Sequence, residues 1–146
     1  RNTKVIAVGE MVKKNLMEYF EIPKEQVCVI HNAVKPFDSN IMPIKVLYQE
    51  HTNGNVLIGN IGRLSEQKGM TYFIEAAEIT ARTHPEARFI IVGEGEEKEQ
   101  LHAQVKAKGL QGKILFLGYR SDIQNVMSQL DFVVLSSLGR TSAYSD

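Results

Sequence analysis

The chain has a single cysteine, four prolines, no net charge and no long apolar run. With only Cys28, no intrachain disulfide can form, and a reducing compartment fits best. No stretch reaches the roughly 18 consecutive apolar residues of a membrane span, and no signal peptide opens the sequence. The 17 basic and 17 acidic residues cancel, which argues against a nucleic-acid binder that works through a broad basic surface. His31, His51, His84 and His102 are scattered, and no His/Cys/Asp spacing suggests a metal site. Walker A is absent, because no Gly-Lys-Ser/Thr follows a strand. Ser136-Ser137 lacks the flanking glycines of a nucleophile elbow. There is no internal repeat and no low-complexity tract.

What is present suffices for one domain with a real core: 146 residues, 43% of them apolar. Val5 to Val8 reads as a short strand, and EMVKKNLMEYF after it as a helix with Val12, Leu16, Tyr19 and Phe20 on one face. Val27 to Ile30 is another β-prone run, in which Cys28 is expected as a small core residue. From Val34 to Asn55 periodicity is weak, and Pro36, Pro43, Asn53 and Gly54 punctuate a span read as a linker.

After Asn55 the pattern is regular. Strands are expected at Val56–Ile61, Arg88–Val92, Ile114–Leu117 and Phe132–Leu135, as continuous apolar runs. Between them lie helices with Met70, Phe73, Ile74, Ala77 and Ala81 on one face, then Leu101 and Val105, then Ile123, Val126, Met127 and Leu130. This alternation implies an α/β fold: a Rossmann-like, doubly wound parallel sheet covered on both faces.

One stretch points to a ligand. In IGNIGRLSEQKG, Ile58 to Gly69, a strand ends at Gly62, Arg63 follows, Lys68 comes one short loop later, and Gly69 opens a helix. Arg offers a bidentate fork, Lys a mobile point charge, and a helix start offers N–H groups, a combination that suits a phosphate or diphosphate. Gly62, Gly93 and Gly118 all end strands, where small residues let backbone approach a ligand in the crevice. The acidic run Gly93 to Gln100 reads either as a cation site or as an acidic first turn complementing the helix dipole. Tyr119 and Arg120, just past a strand end, border a ligand or form a solvated turn.

These motifs, in this order, resemble the glycogen-synthase-like, group 1 retaining glycosyltransferases with the GT-B fold. VIHNAV, Val29 to Val34, resembles the family's interdomain stretch, with Ala33 where Gly is usual. IGRLSEQKG, FIIVGEGEEKEQL and ILFLGYRSDI resemble three successive segments of the donor-binding domain. The resemblance implies two Rossmann-like domains with a cleft between them. Residues 1–33 would end the acceptor domain, 34–54 link, and 55–138 form part of the donor domain, with 139–146 an atypical tail. It implies that Gly62, Arg63 and Lys68 hold the donor diphosphate and that Gly93, Glu94, Gly118 and Tyr119 border the nucleoside. The donor would be a nucleotide sugar, a UDP-sugar by default, with no further cofactor. The acceptor would be a glycan, lipid or small molecule, with peripheral membrane association of a full-length protein. A GT-B nucleotide-sugar epimerase and a non-catalytic nucleotide-binding module are the alternatives.

The family's Glu-Gly-x-Pro loop does not follow Leu138: no Glu occurs after Glu99 and no Pro after Pro85. The catalytic residues are therefore unidentified. The sequence reads as a fragment starting without Met at Arg1, with Gly139–Asp146 native, frameshifted or cloning-derived, and is expected to be inactive alone. Phe132–Leu135 would leave a sheet edge open, inviting self-association.

Overall fold

The computed structural model describes residues 3–34, 36 and 40–138. The tail 139–146 lies outside the described residues, as does part of the expected linker. The chain divides into two units, Arg1–Phe37 and Asp38–Asp146.

In the first unit, β1 (Val5–Ala7), α1 (Glu10–Glu18) and β2 (Val27–Val29) form a small βαβ element. β1 and β2 pair in parallel, Val5 opposite Val27, and Lys4 Nζ adds a bond to the Glu25 carbonyl at 2.6 Å. The sequence expectations need correcting in two places. Cys28 is exposed rather than in a core, because alternation along β2 buries Val27 instead. No residue of α1 is buried, and Tyr19 and Phe20 lie beyond its end, exposed.

The second unit runs α2 (Lys45–Thr52), β3 (Val56–Ile61), α3 (Met70–Thr83), β4 (Ala87–Val92), α4 (Lys98–Ala107), β5 (Ile114–Gly118), α5 (Ile123–Met127) and β6 (Phe132–Val133). All four strands are parallel, in the order β5-β4-β3-β6. Successive residues of β4 face opposite layers. Phe89 and Ile91 pack with Phe73, Ile74 and Ala77 of α3 and Leu101 and Val105 of α4. Ile90 and Val92 pack with Leu47 of α2 and Val126 of α5. The sheet is thus covered on both faces, as the unbroken apolar run of β4 requires. Gly59, in the middle of β3, leaves room for Leu130, whose methyl a Cβ there would strike.

The span 45–52, read from its weak periodicity as linker, is the helix α2. Its Leu47 is fully buried against Leu57 and Ile90, and a single deep anchor in eight residues gives little periodic signal. The last strand is shorter than expected: only Phe132 and Val133 pair with β3, at the sheet edge, and Phe132 and Leu135 are 61% and 78% exposed.

Candidate functional site

The chain turns outward from β3 to β4 and β5, then returns to place β6 on the other side of β3. The crevice at the carboxyl ends of such strands is where doubly wound sheets bind ligands. Here three strand ends meet through glycine. The Gly62 amide donates to the Val92 carbonyl at 2.9 Å, and the Gly93 amide to the Gly118 carbonyl at 2.8 Å. Gly93 has φ 143°, a conformation side chains rarely adopt, and a Cβ there would collide with the Gly62 carbonyl oxygen. The loops that follow are zipped together: Leu64 N–H donates to Glu94 O at 3.0 Å, and Glu97 N–H to Leu64 O at 3.1 Å.

Above these ends lies a cavity of about 470 Å³. Gly62, Arg63, Gly93, Glu94 and Tyr119 line it, with Ile61, Arg120, Ser121 and Ile123. Gly118 stands at its border, the place of its absent Cβ 3.1 Å from Glu94 Oε1. Lys68 is not among the lining residues. Its aliphatic stem runs beside Gly62, with Cδ and Cε 3.7 and 3.8 Å from where a Cβ would be.

Each charge at the mouth has a counter-ion. Arg63 pairs with Glu96 through Nη2 at 3.1 Å and Nε at 3.2 Å, both to Oε2. Glu94 takes Lys98 Nζ at 3.0 Å. Arg120 grips Asp122 with Nε to Oδ1 at 2.8 Å and Nη2 to Oδ2 at 2.5 Å. That grip lowers the Asp122 carboxyl below its ordinary range and raises the Arg120 guanidinium. The Glu96 carboxyl is also lowered, chiefly by a hydrogen bond from its own backbone amide, with Arg63 adding to it. Among the described residues, the Lys68 ammonium has no ion-pair partner, so it is the uncompensated cation near the strand ends.

Two features differ from the sequence expectation. The start of α3, capped by Gly69, does not open on this cavity. Gly69, Thr71 and Tyr72 line a separate recess of about 440 Å³ with Glu66, Glu75 and Glu97, and carboxylates there oppose an anion. The acidic run after Gly93 bears out the acidic-first-turn reading only in its second half, with Glu97 at the N-cap and Glu99 in the first turn of α4. Glu94 and Glu96 precede the helix, which starts at Lys98, and are spent on Lys98 and Arg63. No group of three or more His, Cys, Asp or Glu able to hold a metal occurs among the described residues, and no helix among them is long and apolar enough to cross a membrane.

Sequence reasoning missed the buried Asn60, which is 3% exposed. Its Nδ2 donates to Ser136 Oγ at 2.8 Å, and that hydroxyl donates to the Lys68 carbonyl at 2.9 Å. This joins the loop after β3 to the segment after β6. A lone Asn inside an apolar strand was the available signal, since a buried amide needs a partner.

Comparison with known proteins accords with this architecture. Residues 48–139 match the family model described as glycosyl transferases group 1. An uncharacterized glycosyltransferase of Methanocaldococcus jannaschii is 28% identical over 145 residues, 92% of this chain and 36% of its own length. The alpha-D-kanosaminyltransferase of Streptomyces kanamyceticus is 33% identical over 139 residues, 91% of this chain and again 36% of its own. The crystal structure of Anabaena HepE in complex with UDP-glucose superposes with a TM-score of 0.73 at 29% identity, covering 92% of this chain and 38% of that one. The chain therefore spans little more than a third of the length of these relatives. A parallel sheet covered on both faces and a family match across most of it place the chain among the group 1 glycosyl transferases.

Proposed function

We propose that this chain is part of a retaining glycosyltransferase and carries half of its donor site, for a nucleotide sugar with uridine diphosphate as the leaving group. The observation that carries the reading is the convergence of three glycine-ended strands on one open cavity beside Arg63 and Lys68. Bare backbone at Gly62 and Gly93 lets a diphosphate approach closely. Arg63 offers it a fork and Lys68 the net charge, which together stabilise the leaving diphosphate as the sugar–oxygen bond breaks. Gly93, Glu94, Gly118 and Tyr119 border the nucleoside, and the exposed ring of Tyr119, at 76%, is open to stacking. The complex of HepE with UDP-glucose supports a UDP-sugar as donor.

On this reading the first unit ends the acceptor domain and the second is part of the donor domain. The acceptor is a glycan, lipid or small molecule. The protein is cytoplasmic, with the full-length form peripheral to a membrane. The chain itself transfers no sugar, because orienting the donor and acceptor takes groups beyond Arg63 and Lys68, and its exposed β6 edge favours self-association.

Calorimetric titration with uridine, guanosine and adenosine diphosphates tests the reading. Saturable binding of the uridine nucleotide is expected, with loss in an Arg63→Ala, Lys68→Ala double variant. Undiminished binding in that variant overturns the diphosphate assignment.

A further inference from the structure

The pairing of Arg63 with Glu96 has a consequence for affinity. One carboxylate oxygen of Glu96 spans both Nε and Nη2 of the guanidinium. That edge is the one a phosphate would take bidentately. Glu96 stands between two anchored neighbours, since Glu94 O and Glu97 N–H both bond to Leu64, so its backbone is fixed beside Arg63. Its side chain is 58% exposed and that of Arg63 72%, so the pair can open into solvent without disturbing packing. Glu94 faces Lys98 instead, with Nζ 3.0 Å from its Oε1.

Resting on the diphosphate reading above, we propose that Glu96 is an affinity-setting residue: a built-in carboxylate that occupies Arg63 until a diphosphate displaces it. In the empty site Glu96 keeps the guanidinium at the cavity wall. A bound diphosphate takes over the Nε–Nη2 edge and leaves the carboxylate to water. The displaced pair is exposed, and such pairs are weak, so the exchange is readily reversible and suits a nucleotide that must leave after each turnover.

The test is calorimetric titration of the chain with uridine diphosphate, comparing wild type, Glu96→Gln, Arg63→Ala and the double variant, with uridine as a control. Glu96→Gln keeps the size of the side chain and removes its charge. It is expected to tighten uridine diphosphate by about two- to fivefold, the range an exposed ion pair spans, and to leave uridine unchanged. The gain should vanish when Arg63 is already Ala. If Arg63→Ala weakens binding but Glu96→Gln leaves it equal or weaker, the inference is overturned and the diphosphate reading stands. If Arg63→Ala has no effect, or the wild type binds no uridine diphosphate, the diphosphate reading falls and the inference with it.

Discussion

Asn60 and Ser136 are 76 residues apart in sequence, and their side chains meet at 2.8 Å, beside the point where the strand order reverses between β3 and β6. The amide comes from the centre of the sheet, on β3, and the hydroxyl from just past its edge strand β6. Because Ser136 also donates to the Lys68 carbonyl, this bond ties the proposed phosphate loop to the end of the sheet. The backbone supports the same junction: Leu138 N–H donates to Gln67 O at 2.9 Å.

Replacing Asn60 with Ala should therefore cost stability and loosen the Lys68 loop together. The Asn60 side chain is buried, so its removal takes one of the two hydrogen bonds of the Ser136 hydroxyl and leaves a small void. A loss of about 1–3 kcal/mol is expected in urea unfolding, and Ser136→Ala falls in the same range because it leaves the buried Asn60 amide without the hydroxyl it donates to. An unchanged unfolding midpoint in Asn60→Ala would show that the relay adds nothing.

Acid should weaken the fold through Glu78. Lys108 Nζ lies 2.5 Å from its Oε2, and Arg82 Nη2 2.9 Å from its Oε1. Lys108 first and Arg82 second hold the carboxyl below its ordinary value of 4.5. A carboxyl depressed in the folded state binds protons more weakly folded than unfolded. Its contribution is thus present above about 4.5 and is lost as pH falls from there through the folded value. Thermal melts from pH 7 to pH 3 should show a smaller acid-side fall for Glu78→Gln than for the wild type. Equal falls would assign the acid sensitivity to other carboxyls.

The regular part of the fold was legible because its strands are buried on both faces and its long helix α3 repeats apolar residues at helical spacing. Where burial is one-sided or shallow, pattern reading failed. Cys28 sits in an apolar run yet points outward, since a two-stranded sheet covers only one face of β2. The proposed phosphate loop was visible as residue types, because glycines end the strands and Arg63 and Lys68 flank the loop. The ion pair that neutralises Arg63 was not, because it depends on loops from two different strands meeting in space. Glu94 with Lys98 and Arg120 with Asp122 lie four and two residues apart, so only the Arg63 pairing was beyond the reach of local pattern. The helix start at Gly69 misled for a related reason: its direction is fixed by packing of α3, not by its distance in sequence from Arg63.

The segment before β3 offers the sharpest test of how far local pattern can mislead. If α2 were a mere connection, its side chains could be trimmed at little cost. Leu47 is instead completely buried, in a cluster with Leu57, Ile90, Val92 and Val126, and Ile44 N–H and His51 Nε2 fix both ends of the helix to Gln129. Truncating Leu47 removes apolar contacts to two strands and a helix at once, and the neighbouring β4 residues cannot shift to fill the gap while they remain paired on both sides. Leu47→Ala should cost about 2–5 kcal/mol in urea unfolding, against near-neutrality for Tyr48→Ala, whose side chain is 57% exposed on the same helix. Equal, small effects at both positions would mean that α2 does not dock on the sheet, and that the span behaves as the linker its sequence pattern suggested.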